Sequence, residues 1–120
     1  MDYPHKQLFV WQKGMELANF IYSITEDYPA RERYSMADQM RRAAVSIPSN
    51  IAEGKNRGSD KEFVRFLMIS RGSCAELDTQ LLLSQTRGYI SEMDANKACI
   101  LCDGVSRGLT KLIQSMQAKL

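Results

Sequence analysis

Apolar residues recur along this chain at alternating steps of three and four, the spacing of one face of an α-helix. No stretch alternates residue by residue as a half-buried strand does. Four such segments follow one another. The first spans about residues 7–28 and carries two stripes. Leu8, Trp11, Met15, Ala18, Tyr22 and Thr25 form one line, and Val10, Leu17, Ile21, Ile24 and Tyr28 form the other. A helix apolar on two sides is buried on two sides. One stripe is expected to face the bundle, and the line from Val10 to Tyr28 is the expected contact with a neighbouring copy. Pro29 stops the segment, because the residue before a proline is driven out of helical geometry.

The second segment runs over about residues 32–53, with Met36, Met40, Ala44, Ile47 and Ile51 as its apolar line. A polar line runs beside it through Ser35, Gln39, Arg42, Ser46, Ser49 and Glu53. Pro48 falls inside this pattern, where it removes a hydrogen bond to the Ala44 carbonyl and predicts a kink; Asn50 and the serines are placed to take up freed backbone groups. Gly54 is the expected C-terminal stop. After the polar loop 55–58, Ser59 and Glu62 have the spacing of a capping box and open the third helix. Phe63, Leu67, Ser70, Cys74, Leu77, Leu81 and Ser84 trace its inner face, and Gly72 predicts a close helix–helix approach. Gly88 ends it, with Tyr89 and Ile90 over the turn. Ser91 and Asp94 open the fourth, whose line is Ala98, Cys102, Val105, Leu109, Leu112 and Met116. Short connections make consecutive helices antiparallel neighbours. The expected fold is all-α: one domain over residues 1–120, an antiparallel up-down-up-down four-helix bundle with a kinked second helix.

Composition narrows the chemistry. At 120 residues, 44% hydrophobic and 25% charged, the chain has ordinary globular usage and enough length for one core. It has no apolar run long enough to span a membrane, and its polar start, Asp2-Tyr3-Pro4-His5-Lys6, lacks the apolar region of a signal peptide. The expected compartment is the cytoplasm. Cys74, Cys99 and Cys102 are an odd set without disulfide spacing and read as buried small hydrophobes. The Cys99-x-x-Cys102 pair lacks two further zinc ligands, leaving only Cys74 and the distant His5, so no metal and no cofactor is expected. His5 sits in a terminal tail expected to be mobile, no serine has a base at a workable spacing, and no phosphate-binding glycine loop is present. No enzyme is expected.

Charge and polarity leave two surfaces to explain. Counting outward from the loop at Asn56 sets Gln39 opposite Ser73 to Glu76, and Arg42 opposite Ser70 to Ser73. Gln39, Ser46, Ser49, Asn50, Glu53, Ser73 and Glu76 then form a polar seam, with an Arg42–Glu76 pair inside it. Such a seam fixes helix register, lines a ligand or partner groove, or is a solvated face. Residues 31–71 hold nine Lys/Arg against five Asp/Glu, net +4, whereas the rest holds seven against nine, net −2. Arg41, Arg42, Lys55, Arg57, Lys61, Arg65 and Arg71 are the candidate contacts to nucleic-acid phosphates, which need only such charge. No motif for reading base sequence accompanies them.

Several stretches resemble one family. They are Leu8-Phe9-Val10-Trp11-Gln12-Lys13-Gly14, the run from Gln39 to Gly54 that ends Asn50-Ile51-Ala52-Glu53-Gly54, Glu62-Phe63-Val64-Arg65-Phe66-Leu67, Gly72-Ser73, Glu76-Leu77 and Gly88-Tyr89. Together they resemble the bacterial four-helix-bundle proteins known as ribosomal RNA intervening-sequence proteins, some of them labelled ribosomal proteins. The resemblance covers nearly the whole chain. It implies a four-helix bundle without catalytic activity, and a homopentameric ring similar to the nucleic-acid-binding accessory protein of diversity-generating retroelements. It marks Arg41, Arg42, Asn50, Glu53, Arg65 and Glu76 as motif positions. A ring repeats the +4 segment and focuses its potential. The expected function is therefore RNA binding by a non-enzymatic ring; the alternative is an assembly scaffold without direct nucleic-acid contact.

Overall fold

The four periodic segments form four α-helices in the computed structural model, which describes residues 2–120. They are α1 Phe9–Thr25, α2 Met36–Lys55, α3 Asp60–Thr86 and α4 Glu92–Gln117, with 3-10 turns at Pro4–Gln7 and Ala30–Glu32. No strand occurs among the described residues.

The helix ends show why the boundaries fall where they do. Helix α2 starts later than its pattern, because Glu32 reaches forward: Oε2 accepts the Met36 N–H at 3.2 Å and Oε1 accepts the Tyr89 hydroxyl at 2.8 Å. Ser59 accepts the Glu62 N–H at 3.1 Å and Ser91 accepts the Asp94 N–H at 3.1 Å, so both expected N-caps form. The Glu62 side chain does not close the box; it turns to Arg65 at 2.7 Å. Gly88, at φ +76°, gives α3 a Schellman end in which Tyr89 N–H bonds Ser84 O (2.9 Å) and Gly88 N–H bonds Gln85 O (3.0 Å).

Contacts run in opposite directions along each neighbouring pair. Across α1–α2, Gly14 lies against Ile47 and Thr25 against Arg41. Across α2–α3, Ile47 meets Ser70, Ser46 meets Ser73 and Met40 meets Ser84. Across α3–α4, Arg71 meets Thr110 and Cys74 meets Cys102. Helix α4 closes on α1 through Gly108 against Val10 and Lys97 over Phe20. The arrangement is thus an antiparallel up-down-up-down bundle about a core of Leu17, Ile21, Met40, Ile47, Leu77 and Leu109.

The two stripes of α1 take the opposite roles from those expected. Val10, Leu17, Ile21, Ile24 and Tyr28 are all buried in the protein's own core, so this line is no contact surface for another copy. Gly14 lies in the same line and packs on Ile47 and Pro48, where a Cβ would still sit at ordinary contact distance, 3.4–3.6 Å. The line of Trp11, Met15 and Tyr22 is the one left half-exposed.

The close approaches also differ from expectation. A Cβ at Gly72 would meet nothing within 4 Å, whereas one at Gly54 would lie 2.5 Å from Phe66 Cβ. Gly54 is the last residue but one of α2, and here the α2 backbone comes hard against Phe66 of α3. Helix α2 runs through Pro48 without interruption. Around it Ser46 donates to Ala43 O (3.0 Å), Asn50 to Ser46 O (2.7 Å) and Ser70 to Ile47 O (2.9 Å). Polar side chains thus crowd the carbonyls of this turn.

Candidate functional site

The polar line of α2 divides. Its inner part is a seam: the Ser46 and Ser73 hydroxyls are hydrogen-bonded to each other, and fully buried Ser70 donates to the Ile47 carbonyl. Its outer part borders a groove of about 570 Å³ along α2, lined by Tyr22, Asp38, Arg41, Ser49, Asn50 and Glu53. The Arg42–Glu76 pair does not form. Arg42 bonds Asp38 at 2.9 Å, one turn away on the same helix, and Glu76 is exposed. Gln39 is exposed as well. A partner on the same helix needs no reach across an interface, so the local pair wins.

The seven candidate cations are not one patch. Arg41 Nε donates to Thr25 Oγ1 (2.8 Å), Nη2 to the Tyr22 carbonyl (3.3 Å), and the guanidinium lies 4.7 Å from the Tyr22 ring centre. It therefore caps the carbonyl end of α1, where positive charge is favoured. From Arg42 to Lys55 the helix rises about 20 Å at about 1.5 Å per residue. Arg71 faces α4 and donates to Thr110 at 3.3 Å.

The remaining four cluster round the α2–α3 turn. Lys55 lies over the Phe63 ring at 5.2 Å. Arg57 and Arg65 both lie over Phe66, at 5.0 and 4.5 Å. Arg57 pairs with Glu53 and Arg65 with Glu62, each at 2.7 Å, and Lys61 is exposed. The Arg65 guanidinium holds the Glu62 carboxyl below its usual range. These pairs are half-exposed, where solvent weakens an ion pair, so another anion replaces the carboxylate readily.

His5 is not in a loose tail. The 3-10 turn Pro4–Gln7 packs on the end of α2, where Asn56 Nδ2 lies 2.9 Å from His5 Nδ1. His5 stands between Tyr3 (ring centres 5.6 Å, nearly parallel) and Trp11 (5.2 Å, edge-on). The aromatic row thus adjoins the cationic turn. Nothing in the sequence pattern signals this, because Tyr3, His5 and Asn56 are brought together by tertiary packing. The thiols sit elsewhere: Cys102 donates to the Cys74 carbonyl at 3.2 Å inside the α3–α4 contact, and Cys99 is half-buried beside Asp78.

The family model for 23S rRNA-intervening sequence proteins matches residues 6–111. The chain belongs to that family. The chain shares the fold just described with a crystal structure from Bacteroides thetaiotaomicron VPI-5482, a protein of unknown function from the S23 ribosomal protein family. The two chains are 23% identical, with a TM-score of 0.81 over 88% of this chain and 95% of that one. No curated protein matches the sequence. Among the described residues no helix is long and apolar enough to cross a membrane.

Proposed function

We propose that this intervening-sequence protein is a non-enzymatic, self-assembling bundle that binds RNA at its α2–α3 end, in the cytoplasm. The cationic turn carries the reading. Lys55, Arg57, Lys61 and Arg65 gather at one pole, two of them set by the Phe66 ring and held only by replaceable surface pairs. RNA phosphates meet such a surface without sequence reading. The family's link to a ribosomal RNA gene gives RNA precedence over DNA.

The assembled form is a closed homo-oligomeric ring, of five copies by the resemblance to ring-forming bundles. A closed ring with head-to-tail contacts needs two different faces on each copy. One is the groove of about 310 Å³ between α1 and α2, lined by Trp11, Met15, Tyr22, Val45 and Pro48. The other is the outer row of α3, where Met68, Ile69, Leu82 and Leu83 are each 41–51% exposed. This exposed apolar surface equally favours the second reading, an assembly scaffold without direct nucleic-acid contact.

Filter binding of a ribosomal RNA fragment at about 50 mM and 200 mM salt, with native mass measurement, separates the two. The first reading expects retention that falls steeply as salt rises; a ring that retains no RNA at the lower salt leaves the scaffold.

A further inference from the structure

We infer that the Tyr3–His5–Trp11 row is a base-stacking shelf, so that the RNA this end takes is single-stranded. The inference rests on the RNA reading above and names its substrate class. Three observations carry it.

The shelf is open. Tyr3 is 46% exposed, and its ring lies 5.6 Å from His5 with 21° between the planes. The histidine covers one face of the tyrosine, which leaves the tyrosine as the outer member of the row. The shelf is also held in place before any ligand arrives. Lys6 N–H bonds Tyr3 O (3.1 Å), Leu8 N–H bonds His5 O (3.0 Å), and Gln12 Nε2 donates to Lys6 O (2.9 Å). Asn56 Nδ2 adds the contact to His5 Nδ1, and Trp11 backs the ring from the first turns of α1. A preformed aromatic surface loses little side-chain entropy on binding.

Finally, the shelf stands at the right place. Asn56 lies between Lys55 and Arg57 in the chain, so the residue that touches His5 is flanked by two of the turn cations. A strand whose phosphates follow Lys55, Arg57 and Lys61 carries its bases past Tyr3. Every base has a π-face, so an aromatic shelf beside cations accepts unpaired bases with little regard to sequence. The bases of a duplex are already stacked inside the helix and do not reach it.

The test uses the full-length protein and two labelled RNAs of about 12 nucleotides, a length in the range small single-strand-binding domains cover. One is single-stranded and the other its duplex, each titrated by fluorescence anisotropy at low and moderate salt. Tighter binding of the single strand is expected. Tyr3→Ala is expected to weaken single-strand binding about 5- to 160-fold, the range for losing one base–aromatic stack. The salt dependence and the duplex affinity stay at wild-type values. Tyr3→Trp keeps the affinity, and an unchanged circular-dichroism melt shows that the bundle is intact. Lys61→Ala instead lowers the salt slope by about one and affects both RNAs alike. Wild-type single-strand affinity in Tyr3→Ala overturns the shelf and leaves the cationic turn standing. No binding of either RNA by the wild type overturns the RNA reading itself, and the shelf with it.

Discussion

Gly54 and Phe66 meet so closely that a Cβ on the glycine would lie 2.5 Å from the Cβ of the phenylalanine. The contact is between a helix backbone and the rigid root of a side chain, so neither can swing away. Gly54→Ala is therefore expected to destabilise the bundle by about 1–3 kcal/mol, the usual cost of overpacking, despite the better helix propensity of alanine. Gly72→Ala meets open space and is expected to stabilise by up to about 1 kcal/mol. Urea denaturation of the two variants checks both signs. A neutral Gly54→Ala would refute the contact.

Ser70 is fully buried and gives its hydroxyl to the Ile47 carbonyl next to Pro48. Ser70→Ala is expected to cost about 1 kcal/mol, the net worth of one such bond. Glu76→Ala, at an exposed position with no pair to Arg42, is expected to stay within about 0.5 kcal/mol of wild type. Equal losses in the two variants would restore Glu76 to the seam.

The Tyr89 hydroxyl and the Met36 N–H both favour the charged form of Glu32 and lower its pKa. A carboxylate whose pKa is lower in the folded state adds stability above its unfolded value, about 4.3, and that stability is lost as pH falls through the folded value. In Tyr89→Phe the largest cause is gone. An NMR titration of Glu32 is expected to move upward in that variant, and the acid-induced loss should shrink. An unmoved midpoint would mean that Tyr89 does not hold the charge.

Cys102 is pushed up by its contact with the Cys74 thiol and by burial, and Cys99 is raised by burial and by Asp78. A raised thiol pKa leaves little reactive thiolate at Cys99 and Cys102 near neutral pH, and Cys74, which the same contact lowers, is shielded by its burial. Native protein treated with iodoacetamide at pH 7 is therefore expected to gain at most one adduct, at half-buried Cys99, and three after unfolding. Rapid labelling of Cys74 or Cys102 in the native protein would contradict their placement.

Val45 is 41% exposed in the α1–α2 groove and makes no part of the core. Val45→Glu is expected to leave the thermal melt of the bundle nearly unchanged and, if the proposed ring closes through this groove, to reduce the native mass to that of a single chain. An intact ring carrying this charge would move the contact away from the groove.

Much of this fold is legible in the sequence because a bundle core is written in steps of three and four. The helices, both serine caps and the Gly88 ending all follow from local rules. The failures lie where contacts between elements, or a choice between two partners, decide the outcome, which no single helix's pattern specifies. Both stripes of α1 read as apolar, and only packing against the other helices decides that the line from Val10 to Tyr28 turns inward. The same holds for Gly54, which reads as a helix stop and is a packing notch. Arg42 had two carboxylates in principle, and the nearer Asp38 took it. Four of the basic residues do converge, but the aromatic row beside them joins Tyr3 to Asn56 across half the chain, beyond any local pattern.

The α2–α3 contacts also predict an order of folding, which φ-values at Ser70 and Ser84 would check. From the notch at Gly54 outward, Ile47 meets Ser70, Ser46 meets Ser73 and Met40 meets Ser84, at chain separations of 23, 27 and 44 residues. Once the short turn is closed, each further contact lengthens a loop whose ends are already together, so the added chain entropy lost is small. The central hairpin can zip shut from its turn and act as the folding nucleus, with α1 and α4 condensing on it from either side. Such a nucleus predicts folding from the middle of the chain towards its ends, with the segment bearing Tyr3 and His5 settling last.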